Sequence, residues 1–316
     1  MPHSTPPAEH APAPAPVRIL ADSDCELGEG ARWVDGRLVF TDILAGRLLE
    51  ITGQAPGHIR NLAALNVPLG AVAPVHGVPG SWIAAAGTGI ALLDAEGHLA
   101  WLAHPEDRTR VPTRMNDGAC DPLGRFWATS MPYDNAVRAG SLYRIDTDGS
   151  VHRILHGMTV VNGPAFTDDG SILYVADSAA GIIYRCPLDA DGTPTDQQVF
   201  TRLANGSPDG MTVDTQGHLW VAVWGAGQVH RYHPSGALLA ALDLPTPQPT
   251  SVCLHPTAGR LMITTARYGL VGHGHGPAGA VLAAEVDATA PAARPYIPSP
   301  RPFGPPERRP WPPSTE

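Results

Sequence analysis

Apolar residues come along this chain in short runs of β-branched and aliphatic side chains, each run closed by a turn that holds a glycine. Between Ser207 and Val223 the pattern is plain. Polar Asp209-Gly210 leads into Met211 and Val213, Asp214 to Gly217 makes a turn, and Leu219 to Val223 forms a second apolar run. Two runs of β-formers around a glycine turn predict two antiparallel strands with a tight connection. The same pattern recurs around Gly36, Gly80, Gly124, Gly170, Gly217 and Gly259, at intervals of 44, 44, 46, 47 and 42 residues. That period suits one four-stranded propeller blade. No amphipathic segment of helical period is long enough to build a βαβ unit, so the sheets are expected to be antiparallel. The prediction is an all-β chain folded as a six-bladed β-propeller of four-stranded antiparallel blades, in one domain over residues 17–290.

The last strong strand, Ala280 to Asp287, is only third in its unit. An outer strand from Val17 to Ala21 would complete the sixth blade and leave no open edge. Pro295-Tyr296-Ile297 competes for the place, and the N-terminal strand is favoured. Residues 1–16, rich in Pro, Ala and His, and residues 291–316, rich in Pro and Arg, have too little apolar surface to offset ordering, and they read as flexible tails.

Composition narrows the function classes. The net charge is −9 and all 21 basic residues are arginine. An acidic balance argues against nucleic acid or a membrane surface as partner, and the absence of lysine excludes Schiff-base chemistry and a P-loop. There is neither a signal-peptide pattern nor an 18-residue apolar run, so a soluble cytoplasmic protein is expected, as a monomer or weak homo-oligomer. Cys25, Cys120, Cys186 and Cys253 have no metal-ligand or redox spacing and read as buried free thiols. His273 and His275, in a glycine-rich run, can bind a metal adventitiously, but an inter-strand loop is the preferred reading.

Candidate chemistry comes from comparing the units. Eight residues before the turn glycine stand Asn116, Asn162 and Asp209 in units three to five, and Glu29 stands seven before Gly36. The first strand of each propeller blade lines the central channel, so these side chains converge on the axis. Taken singly, each is an ordinary turn former. Their shared register, at the strand end opposite the turn, favours a site. Facing carboxylates repel unless a proton or cation lies between them. Oxygen donors without His or Cys suit a hard divalent ion such as Ca²⁺, Mg²⁺ or Mn²⁺. Asp117, adjacent to Asn116, is expected to point to the opposite strand face in a structural role.

Leu27-Gly28-Glu29-Gly30-Ala31-Arg32-Trp33, Arg114-Met115-Asn116-Asp117-Gly118, Asp121-Pro-x-Gly124-Arg125-Phe126-Trp127, Asn162-Gly163 and Ser207-Pro208-Asp209-Gly210-Met211 resemble, in order, the motifs of the regucalcin (senescence marker protein)/gluconolactonase family. The resemblance implies a six-bladed propeller with one divalent metal ion in the channel (Ca²⁺, Mg²⁺, Mn²⁺ or Zn²⁺) and a small-molecule sugar lactone as substrate, hydrolysed to the aldonic acid. By the same resemblance the metal ligands fall on Glu29, Asn162 and Asp209. The substrate contacts fall on Arg114, Asn116 and Asp134, and the general base on Asp209. Two stretches depart from the family, Thr129-Ser130-Met131 and Cys253-Leu-His255-Pro256, and both are expected to reshape the channel mouth.

In this scheme the metal polarises the lactone carbonyl, Asp209 activates water, and Arg114 offers a forked donor to hydroxyls or product carboxylate. No Gly-x-Ser-x-Gly elbow supports a serine esterase. Two alternatives stay open: a propeller hydrolase of aryl esters or organophosphates, and a non-enzymatic binding propeller with a structural ion.

Overall fold

The computed structural model describes residues 16–53, 56–271 and 276–299. It is a six-bladed β-propeller in which every blade is a four-stranded antiparallel sheet. The inner strands of blades 1–6 are Gly28–Val34, Leu69–Pro74, Thr113–Cys120, Val161–Phe166, Ser207–Val213 and Pro249–Leu254. These strands are almost wholly buried, whereas outer strands such as His58–Ala64 and Leu238–Asp243 are largely exposed. The gradient follows from the ring, since an inner strand has neighbours on both faces. Apolar clusters fill the gaps between adjacent blades, as where Ile83 and Ala85 of blade 2 meet Met115 and Phe126 of blade 3.

All six turn glycines named from the sequence lie between the first and second strands of their blades, with φ between 56° and 82°. That left-handed region costs glycine nothing and other residues strain. At several of these turns an acidic side chain fixes the corner. Asp121 accepts the N–H groups of Leu123 and Arg125 and the indole of Trp127; Asp214 does the same for Gln216, His218 and Trp220.

Arg18–Ala21 pairs antiparallel with Val281–Glu285 and supplies the outer strand of blade 6. The N-terminal candidate therefore closes the ring. The competing Pro295-Tyr296-Ile297 does something else. Residues 288–299, which composition places largely in a tail, run in extended form across the face that carries the turn glycines. Their backbone bonds to Thr215, Trp33, Pro74, His76, Gly124 and Thr147 touch four blades, and Arg294 reaches Asp168 of a fifth. Tyr296 is buried in the apolar cluster between blades 2 and 3, and its hydroxyl donates to the Asp146 carbonyl at 2.9 Å. The segment closes one end of the channel over a pocket of about 110 Å³.

One irregularity recurs in every blade. Each inner strand carries an extra residue relative to its partner: at Gly30-Ala31, Gly70, Asn116-Asp117, Gly163-Pro164, Asp209-Gly210 and Thr250-Ser251. A β-bulge re-aims side chains and bends the strand. Here the ring of bulges lies at the level of the sequence-derived channel residues. Hydroxyls and amides tie the blades together there, as Thr41 donates to the Gly70 carbonyl at 3.0 Å and Ser251 accepts the Ala31 N–H at 2.8 Å. Blade 2 offers only Gly70 at this level. A Cβ there would collide with the Asn116 backbone carbonyl, so the glycine admits the neighbouring bulge.

All four cysteines are buried and free. No helix among the described residues is long and apolar enough to cross a membrane. His273 and His275 lie outside the described residues.

Candidate active site

Glu29, Asn116, Asn162 and Asp209 stand at the channel-lining ends of four inner strands, and all four are buried. Glu29 and Asn162 sit immediately before their bulges; Asn116 and Asp209 are the first residues within theirs. The apparent common register in the sequence is thus two adjacent levels of one ring. Arg114, also buried, precedes them on blade 3.

The carboxyls of Glu29 and Asp209 are electrostatic neighbours, each acting on the other's titration. Burial, then the Asp117 charge, pushes Glu29 up to about 8; the Gly30 N–H, which donates to its Oε2 at 2.5 Å, pulls the other way. Burial, Glu29 and Asp117 hold Asp209 well above the usual carboxylate range. With nothing between them, two such groups share a proton instead of both ionising.

Asp117 corrects the sequence reading. Strict strand alternation places it on the opposite face, but the bulge sets both Asn116 and Asp117 against a single partner, Thr129. Its carboxyl lies among the channel residues, only 1 % exposed, and burial raises its pKa against the pull of Arg32. Oδ1 accepts Arg32 Nη2 at 3.1 Å and the Gly118 N–H at 2.7 Å, and the Gly163 N–H also faces the carboxyl. The sequence did hold a signal: glycine follows Glu29, Asn162 and Asp209 directly, and glycine inside a strand marks bulges.

The amides form a directed chain. Arg114 Nη1 donates to Asn116 Oδ1 at 2.7 Å, and Asn116 Nδ2 donates to Asn162 Oδ1 at 2.7 Å and to the Val161 carbonyl at 3.0 Å. Burial lowers the pKa of Arg114, with the charges of Glu29 and Asp209 among those opposing it. Arg114 is therefore a buried cation beside the carboxylates, and a surface ion-pair role does not apply. Asp134 is not joined to this cluster. It is exposed in the turn after Pro132, where its Oδ1 accepts the Ala136 N–H at 2.9 Å. The exposed Tyr133 and Tyr268 lie within electrostatic reach of Arg114.

Of the two departures from the family pattern, one is at the site. The Thr129 hydroxyl accepts the Asp117 N–H at 2.9 Å and donates to its carbonyl at 3.1 Å, clamping the bulge. The other is not at the mouth. Cys253 and Leu254 line the pocket under residues 290–294, and His255 packs on Trp33 with ring centroids 4.3 Å apart.

The donor set fits a hard cation. Glu29, Asp209 and Asn162 are buried, each carries a side-chain oxygen, and every candidate donor is oxygen. A divalent cation held by these oxygens would offset the burial and the mutual repulsion that keep Glu29 and Asp209 protonated.

Residues 27–267 match the model of the SMP-30/Gluconolactonase/LRE-like region. The chain belongs to this family. It is 34% identical over 274 residues to a pentonolactonase of Haloferax volcanii, covering 83% of this chain and 88% of that protein. A 6-deoxy-6-sulfogluconolactonase of Pseudomonas putida is 35% identical over 247 residues, with 76% and 84% covered. Among solved structures, a calcium-binding regucalcin from Agrobacterium tumefaciens superposes with a TM-score of 0.81 at 29% identity, over 90% of this chain and 98% of that one.

Proposed function

We propose that this protein is a lactonase that hydrolyses a sugar (aldono)lactone to the aldonic acid, using one divalent cation held by Glu29, Asn162 and Asp209. The observation that carries the reading is the buried oxygen cluster with Arg114 and Asn116 hydrogen-bonded into it. Its family setting, with relatives that are a pentonolactonase and a 6-deoxy-6-sulfogluconolactonase, supports the substrate class. When bound, the cation polarises the lactone carbonyl and acidifies water.

This chain's own residues supply the rest. Both amide hydrogens of Asn116 are committed to Asn162 and Val161, and Arg114 occupies one side of its Oδ1. Asn116 therefore meets a substrate hydroxyl as acceptor. Arg114 uses Nη1 on Asn116 and the Met115 carbonyl, leaving its other N–H groups for the substrate or the product carboxylate. Asp209 takes a proton from the attacking water. The water oxygen bonds to the carbonyl carbon, the ring C–O bond breaks, and the ring oxygen departs as a hydroxyl carrying that proton. Asp134, on its exposed turn, is assigned to the outer end of the substrate. Four unpaired thiols suit a reducing cytoplasm.

A substrate panel tests the class. Pentono- and hexonolactones should turn over, and phenyl acetate and a phosphotriester should not. Turnover of the aryl ester or phosphotriester alone would overturn the proposal in favour of the organophosphatase-type reading. No turnover of any of them would leave a binding propeller.

A further inference from the structure

We propose that Ser178 is a positioning residue that decides which face of the Asn162 amide meets the cation. The inference rests on the reading of Asn162 as a metal ligand. An asparagine amide fits its pocket almost equally well in two orientations, and only one presents oxygen to a metal. Something must choose between them.

The hydrogen bonds show how. Ser178 follows the second strand of blade 4, Ile172–Asp177, and opens the 3₁₀ turn Ser178–Ala180. Its backbone is fixed at both ends: its N–H donates to the Val160 carbonyl at 2.8 Å, and its carbonyl accepts the Gly181 N–H at 3.1 Å. The side chain is buried and touches two ligand-bearing strands. Its hydroxyl donates to the Pro208 carbonyl, one residue before Asp209, at 2.5 Å, and accepts Asn162 Nδ2 at 2.9 Å.

A serine hydroxyl has one hydrogen. Because that hydrogen is spent on a carbonyl, which can only accept, the Ser178 oxygen shows Asn162 a lone pair and nothing else. The amide must answer with its NH₂, so Oδ1 turns to the opposite side, toward Asn116 and the channel. The polarity is consistent along the whole run: Arg114 donates to Asn116, Asn116 to Asn162, Asn162 to Ser178, and Ser178 to the carbonyl next to Asp209. A guanidinium that can only donate starts the run, and a carbonyl that can only accept ends it. Reversing the Asn162 amide would set two donors together at Asn116 and two acceptors together at Ser178.

Calorimetric titration with CaCl₂ and MnCl₂ tests this. Ser178→Ala should weaken ion binding about 10- to 100-fold, the usual effect of losing a partner that orients a metal ligand, and Ser178→Thr, which restores the hydroxyl, should recover it. The deciding measurement repeats Ser178→Ala in an Asn162→Asp background. A carboxylate offers oxygen in either orientation, so there the serine should have no further effect on ion affinity. The inference is overturned if Ser178→Ala binds as tightly as wild type, or if it loses the same factor in both backgrounds, which would make Ser178 a general inter-blade tie. Glu29→Gln, titrated alongside, separates this from the ligand assignment. If it too binds like wild type, the Glu29–Asn162–Asp209 assignment falls and the Ser178 role with it.

Discussion

Stripping the cation with a chelator should make the stability of this propeller fall steeply as pH rises from 5 to 8. In the metal-free fold Glu29 is held up at about 8 from an ordinary value of 4.5, mainly by burial. Below about pH 4.5 the group is protonated in both folded and unfolded chains and contributes no slope. Between 4.5 and 8 the folded state keeps the proton that the unfolded state has released. Unfolding then releases protons, and stability declines with pH until the folded carboxyl itself ionises. At about 1.4 kcal/mol per pH unit, the rise corresponds to at most about 5 kcal/mol, a large part of the about 5–15 kcal/mol typical of a domain. Asp209 and Asp117, displaced in the same direction, steepen the slope. A bound divalent ion keeps the ligands ionised, so the loaded protein should lose far less over the same range, and binding should release protons at pH 7. Urea unfolding at pH 5, 6.5 and 8, with chelator and with added ion, measures the difference. Parallel pH profiles in the two conditions would refute the claim that these carboxyls are crowded and protonated without a cation.

Two substitutions probe other parts of the account. Asn116→Ala should keep ion binding in a calorimetric titration, since Ser178 still orients Asn162, while lowering kcat/KM about 10-fold or more, because a substrate hydroxyl loses its acceptor; a large loss of ion affinity would instead make Asn116 a ligand or the main partner that orients Asn162. Tyr296→Ala should destabilise the fold by about 3–5 kcal/mol in urea unfolding, the cost of emptying a buried aromatic site, whereas an unchanged midpoint would show that residues 288–299 are not part of the folded unit.

The six-bladed plan was legible because the turn glycines repeat at blade length, and each of them indeed closes the first hairpin of a blade. The channel residues were legible for the same reason, since Glu29, Asn116, Asn162 and Asp209 stand at a nearly constant distance from those glycines. Asp117 was missed because strand alternation fails across a bulge, which leaves the apolar pattern unchanged and is signalled only by the glycines inside the inner strands. Ser178 gave no signal. Its partners, Asn162 and the Pro208 carbonyl, meet it only when blades 4 and 5 are side by side. Residues 291–299 look like a tail because Pro291, Pro295 and Pro298 interrupt them and no run of β-formers develops, yet backbone bonds and the single large anchor Tyr296 hold them in place. Cys253 to Pro256 follows the same inner strand as Thr250 and Ser251. The strand runs away from the site, so this stretch reaches the closed end of the channel.

The most direct test of the central claim is a titration of the chelator-stripped protein with a divalent ion, following heat of binding and hydrolysis of a pentonolactone on the same samples. The account expects no turnover at zero ion, and a rise that parallels binding and levels off at one ion per chain. In Asp209→Asn, saturated with ion, turnover should be about 10²–10⁴-fold lower, the cost of deleting general-base help. Full turnover in the stripped wild-type protein would contradict the account outright.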